Sequence, residues 1–296
     1  MTDPLRDIRI GTLVKASGAY VKAIIPHGFE CIQPTWWQHL DTNDLPTLAK
    51  QIKEAIGDAE VTIPSIGIYG NPLGPSESNQ RTLQGVKDLI EHAPKFGTGI
   101  VACFAGRVPG TSIPESLAAF KKFWGEMARR AADNGLKIAF EACAMGGNWK
   151  SGDWNIAHTP DAWEMMFNEL PNENLGLEWE PCHQQIYLID PLPQIRKWAK
   201  KIFHIHGKDA TVRWDVVREH GVHGKEEYVY MRHPGFGDAN WTDIISELRR
   251  QKWTGAIDIE GWHDAAYGGE LEMTGQIASM QYLKRCRGGE KFVPNP

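Results

Sequence analysis

Along the whole chain, short runs of apolar residues alternate with longer segments in which apolar positions return every three or four residues. The short runs read as strands: IRIGTLV (8 to 14), FECIQ (29 to 33), VTIPSIGIY (61 to 69), GIVACFA (99 to 105), LKIAFE (136 to 141), LGLEWE (175 to 180), IFHIH (202 to 206) and AIDIE (256 to 260). Between them, LPTLAKQIKEAIG, RTLQGVKDLIEHA, PESLAAFKKFWGEMARRAADNG and WTDIISELRRQ have the helical period. Thr159 before Pro160 reads as a helix start, and Asn134 with Gly135 as a stop.

Eight strands each followed by a helix predict a single (β/α)8 TIM barrel, because parallel strands need a crossover and the crossover helices cover the outside. An open doubly wound sheet is the alternative. Against it, no G-x-G-x-x-G follows the first strand and no G-x-x-x-x-G-K-[ST] occurs. With no linker, repeat or low-complexity tract, the expectation is one domain over residues 1–296, with a barrel core of about 8–285 and a tail of 286–296.

Four of the last strands end on a metal-type ligand: Glu141, Glu180, His206 and Glu260. Barrel enzymes build their sites at the carboxyl ends of the strands, so these side chains are placed to converge. Three carboxylates and one imidazole are a hard, oxygen-rich set that suits Mn²⁺ first, with Mg²⁺ or Co²⁺ as alternatives. Glu178 shares its side of the strand with Glu180 by period two and competes as ligand. His204 shares a side with His206 but lies deeper, where a buried, hydrogen-bonded histidine is the ordinary outcome.

The charge balance, 32 basic against 37 acidic residues for a net −5, predicts no broad attraction to nucleic acid or to an anionic membrane. No run approaches the ~20 apolar residues of a membrane span, and no basic-then-apolar leader opens the chain, so a cytoplasmic location is expected. Five scattered cysteines without a C-x-x-C pair read as free thiols.

The segments FEACAMGG, EWEPCH, FHIHGKDA and HPGFGDANWTDIISELRRQKWTGAIDIEGW resemble the sugar phosphate isomerase/epimerase family, the xylose-isomerase-like barrels, over roughly residues 8 to 285. The resemblance implies one divalent metal held by Glu141, Glu180, His206 and Glu260, with Glu141 and Glu260 doubling as acid and base. Its acid-x-x-His pattern, matched by Glu180-Pro-Cys-His183, favours Glu180 over Glu178 and marks His183 as a substrate contact. The second ligand is usually aspartate in the family, so Glu180 departs from it by a methylene. Arg213 stands near the place of an arginine that some members carry after the metal histidine. Members often form dimers or tetramers, which makes a homo-oligomer the expectation.

Two carboxylates flanking a carbon next to a carbonyl can move its proton through an enediolate, each step contributing ~10²- to 10⁴-fold. The expected activity is therefore sugar isomerisation or epimerisation. A lyase or dehydratase on a keto-sugar or inositol derivative is the alternative, and a non-catalytic sugar-binding protein the remote one. A metal-dependent DNA repair nuclease of a related barrel is disfavoured by the net charge and by His206 being the only strand-end histidine. Twelve tryptophans are many for this length, and Trp36, Trp37, Trp149, Trp154 and Trp262 fall beside predicted strand ends, where indoles stack on sugar rings. Lys208 is read either as contacting a substrate oxygen or as pairing with Asp209, and Arg107 as a surface residue, with binding of an anionic group as the alternative. No phosphate cradle is present, which favours a non-phosphorylated sugar. The loop GGNWKSGDWNIAHTP (146 to 160) reads as a cover that closes over substrate.

Overall fold

The computed structural model describes residues 7–40, 44–222 and 224–293. The first six residues and the last three, part of the expected amino-terminal and tail segments, lie outside it. In chain order the elements are β1 (Arg9–Lys15), α1 (Gly18–Ile24), β2 (Cys31–Trp37), α2 (Leu45–Ile56), β3 (Ile66–Tyr69), α3 (Glu77–Phe96), β4 (Ile100–Cys103), α4 (Ile113–Asp133), β5 (Lys137–Glu141) and α5 (Pro160–Glu169). Then follow β6 (Leu175–Trp179), α6 (Pro181–Ile186), α7 (Pro191–Trp198), β7 (Ile202–Gly207), β8 (Asp209–Val212), α8 (Trp214–His220), β9 (Val229–Arg232), α9 (Trp241–Arg250), β10 (Ala256–Ile259) and α10 (Glu272–Arg287).

Eight of these strands close into a parallel barrel in the order β1-β10-β7-β6-β5-β4-β3-β2, as the alternation of strand and helix predicts. The helices start where the sequence supplies caps. Asp44 accepts from Thr47 N, Ser76 from Asn79 N, and Asn240 from Asp243 N, while Ser112 and Glu115 form a capping box.

The chain falls into two compact units, residues 13–179 with 201–204, and residues 1–12, 180–200 and 205–296. In the first, β5 pairs β6 with Glu141 level with Glu178. There Trp124 of α4 donates to the Ala105 carbonyl at 2.7 Å and meets Phe140 edge-on, fixing the helix to the end of β4. In the second, β10 pairs both β1 and β7, with Asp258 level with His206. Its carboxyl-terminal helix is tied to the start of the chain, because Arg287 is buried and donates to the Ile8 carbonyl at 2.8 Å. The last helix thus runs two residues into the expected tail.

Three expectations change in detail. The second strand begins at Cys31 and runs on to Trp37, through Pro34, instead of stopping at residue 33. Its pairing with β3 starts only at Thr35, beyond the proline that lacks an N–H donor. The third strand is confined to residues 66–69, because Pro64 interrupts it and leaves Thr62 as a single bridge to Cys31. An antiparallel ribbon, β8 against β9, was not read from the sequence; its strands are four residues each, DATV and VYMR, with no sustained alternation of apolar and polar positions.

Among the described residues no helix is long and apolar enough to cross a membrane, and all five cysteines are free.

Candidate active site

The sequence-predicted ligands sit at the strand ends. Glu141 is the last residue of β5 and His206 the penultimate residue of β7, while Glu180 and Glu260 each stand one residue past a strand. All four are buried.

Glu180 occupies the residue before α6, with Pro181 at the first helical position. A residue three positions into a helix turns back over the cap, which is what the E-P-C-H spacing achieves: His183 Nε2 lies 3.0 Å from Glu180 Oε1. Burial, and then the charge of Lys208, hold the His183 ring well below its ordinary pKa, so it is neutral at pH 7.

Glu260 is the electrostatic centre of the same unit. Lys208 Nζ lies 2.9 Å from its Oε1, His263 Nδ1 3.2 Å from the same oxygen, and His206 Nδ1 3.2 Å from Oε2. Burial by itself raises a carboxylate's pKa; the Lys208 charge and the hydrogen bonds from His206 and His263 outweigh it and hold Glu260 well below the carboxylate range. The result is a buried, ionised carboxylate. His263 was missed in the sequence, although a polar side chain three residues after a strand-end ligand is a usable signal.

Lys208 therefore pairs with Glu260, not Asp209. Asp209 is taken up by the backbone: its carboxylate accepts from Ala210 N, Ala239 N and Gly235 N and from Trp241 Nε1. A Cβ at Gly237 would lie 2.4 Å from Asp209 Oδ1, so the P-G-F-G turn needs glycine there to wrap this carboxylate. Arg213 is engaged away from this cluster, with Tyr230 OH at 3.1 Å, Asp215 at 3.3 Å and the Glu227 carbonyl.

In the other unit, Glu178 is the hub of a buried network. Its Oε1 accepts from Gln33 Nε2 at 2.7 Å and lies 2.8 Å from His204 Nδ1, and its Oε2 accepts from Tyr69 OH at 2.8 Å. His204 is thus the buried, hydrogen-bonded histidine expected. Gln33 and Tyr69 were not singled out, although a glutamine inside an apolar strand run is the visible sign of such a partner. His206 with Glu260 in one unit, and Glu178 with His204 in the other, bring metal-type donors side by side.

One expectation, about a residue packed against the β5–α5 loop, is corrected. Arg107 is buried, not at the surface, and its guanidinium donates to the carbonyls of Thr111 and Asn148. Asn155 is buried too, donating to the carbonyls of Glu141 and Cys143 and accepting from Ala105 N and Ala157 N. Asn71 adds a bond to the Asp153 carbonyl. These bonds fasten the backbone of the β5–α5 loop at several points. Trp37, the last residue of β2, Trp149, within the β5–α5 loop, and Trp262, three residues past β10, are exposed.

The family model of the xylose isomerase-like TIM barrels matches residues 21–286, and the chain belongs to that family. No curated protein sequence matches it. Among solved structures, the Escherichia coli 3-keto-D-glucoside 4-epimerase YcjR superposes with a TM-score of 0.70 at 15% identity, over 95% of this chain and all of that one. A xylose isomerase domain protein from Planctomyces limnophilus gives 0.74 at 17% identity, over 95% and 98%. D-psicose 3-epimerase gives 0.67 at 16%, over 95% and 100%. At these identities the likeness is one of fold.

Proposed function

We propose that the chain is a divalent-metal-dependent isomerase or epimerase of a non-phosphorylated sugar or keto-sugar. The observation that carries this reading is Glu260, a buried carboxylate kept ionised by Lys208 and flanked by His206 and His263. A carboxylate charged in a desolvated place is poised to take a proton from carbon. The names of two solved structures of the same fold, an epimerase of a 3-keto-glucoside and one of psicose, support the class.

Glu141, Glu180, His206 and Glu260 would hold the ion, with Mn²⁺ the first to test. The donors are buried and rich in carboxylate oxygen, and His206 and Glu260 lie side by side, while Glu180 is drawn to His183 and would have to turn from it to reach the ion. When bound, a divalent ion lowers the cost of the negative charge that builds on the substrate carbonyl oxygen. Glu178 is assigned instead to structure, since Gln33, Tyr69 and His204 hold it.

Glu260 and Glu141 act as the acid/base pair. One removes the proton next to the carbonyl; the other returns a proton to the opposite face for epimerisation, or to the neighbouring carbon for isomerisation. Lys208 keeps Glu260 in its basic form and, with neutral His183, offers hydrogen bonds to substrate hydroxyls. Trp149, Trp262 and Trp37 provide exposed stacking faces; Arg213, held by the ribbon, is left out of the site.

The test is solvent deuterium incorporation, read by proton NMR on hexoses, pentoses and keto-sugars, with Mn²⁺ and after chelation. Metal-dependent loss of a carbon-bound proton signal supports the reading. Exchange that survives chelation, or an enone absorbing in the ultraviolet in place of exchange, contradicts it.

A further inference from the structure

One aromatic pair near Glu141 is built more elaborately than the reacting carbon requires. Trp37 ends β2 with 54% of its surface exposed. Its ring stacks on Trp154, centroids 5.6 Å apart and planes at 29°, and meets Phe104 edge-on at 6.3 Å. Trp154 in turn rests on the buried cluster of Phe104, Tyr69 and Cys143. The next residue, Asn155, binds the Glu141 carbonyl at 2.9 Å, so the pair is tied to the strand end that carries that glutamate.

The backbone beside Trp37 is strained. Gln38 has φ of 61°, a left-handed conformation that costs a non-glycine residue about 1 kcal/mol or more. It is held there by its N–H on the Tyr69 carbonyl at 2.9 Å, by Thr82 Oγ1 on its own carbonyl at 2.5 Å, and by Ser78 on its side chain. Strain maintained by several bonds, next to an indole left in solvent, marks a functional position. A single exposed tryptophan needs no explanation. Two stacked indoles on a strained turn and a fastened loop form a rigid apolar step, which binds a ring with little loss of side-chain entropy. The buried Arg107 guanidinium behind the loop donates to backbone carbonyls, and the step itself is made of two uncharged indoles, the surface that the apolar face of a sugar ring stacks on.

We propose that Trp37 and Trp154 form a subsite for a second pyranose ring, so that the substrate is a neutral glycoside whose reacting keto-sugar carries a further ring. This rests on the sugar-acting reading above and names its substrate class.

The test uses the full chain with Mn²⁺ and probes that need not react: cellobiose, maltose and lactose against glucose and galactose, measured by calorimetry. At least one disaccharide is expected to bind ten times more tightly than either monosaccharide. Trp37→Ala and Trp154→Ala are expected to remove that preference, and Trp37→Phe to keep most of it, with unchanged circular dichroism for the Trp37 variants because that side chain is exposed. Equal binding of one-ring and two-ring sugars, no binding of any, or a preference that survives Trp37→Ala, overturns the subsite. Failure of the reaction class is read separately: disaccharide preference with no deuterium incorporation into any keto-sugar removes the isomerase reading and leaves the subsite standing.

Discussion

The Lys208 ammonium lies 2.9 Å from Oε1 of Glu260, and both groups are buried. Lys208 is the largest influence holding that carboxylate ionised against its burial. Lys208→Met should let burial win and raise the pKa of Glu260. The acid limb of the kcat/KM profile should then move to higher pH. An acid limb in the same place as wild type would show that Lys208 does not set the base.

Metal affinity separates the two glutamates of β6 and its end. Glu180→Ala and His206→Ala should each weaken Mn²⁺ binding at least about tenfold in calorimetry. Glu178→Gln should instead cost stability, about 1–3 kcal/mol in denaturant unfolding, by disturbing the bonds from Gln33, Tyr69 and His204. The reverse result would move the ligand from Glu180 to Glu178.

Asn155 serves two backbone N–H groups and two carbonyls at once. Asn155→Ala removes these four bonds at once, so unfolding free energy should drop by about 3 kcal/mol or more. Hydrogen exchange of the loop amides should rise in the same variant. Protection like that of wild type would mean the loop is held by other contacts.

His158 is buried, and burial, then the Arg107 guanidinium, push it down to about 4. The unfolded chain takes up a proton on this histidine near pH 6.5, whereas the folded chain does so only near 4. Its contribution is therefore complete above pH 6.5 and is lost as pH falls toward 4, up to about 3 kcal/mol. Thermal melts of His158→Phe between pH 4 and 7 should show a flatter pH dependence than wild type. Parallel curves would show that this side chain does not titrate on unfolding.

The barrel and the strand-end positions of Glu141 and His206 were legible because each depends on local pattern. A buried parallel strand must be an apolar run, and a polar side chain at its carboxyl end interrupts the run where it stops, as at Glu141 and His206. What escaped depends on pairing between distant segments. Nothing near Lys208 in the sequence says that its partner is Glu260, 52 residues later, instead of the adjacent Asp209. Asp209 looked available, yet backbone N–H groups of the 235–239 turn consume it. Arg107 looked like a surface cation for a related reason: one of its acceptors, the Asn148 carbonyl, lies in a loop 41 residues further on. The β8–β9 ribbon escaped because four-residue strands carry too little alternation to register.

The central claim is that Glu260 and Glu141 move a carbon-bound proton. Its most direct test is the rate of deuterium incorporation into a keto-sugar that wild-type protein labels, measured with Mn²⁺ for Glu260→Gln and Glu141→Gln. The account predicts that each variant still folds and binds Mn²⁺, while exchange falls by ~10²- to 10⁴-fold. Exchange at the wild-type rate in either variant would contradict it.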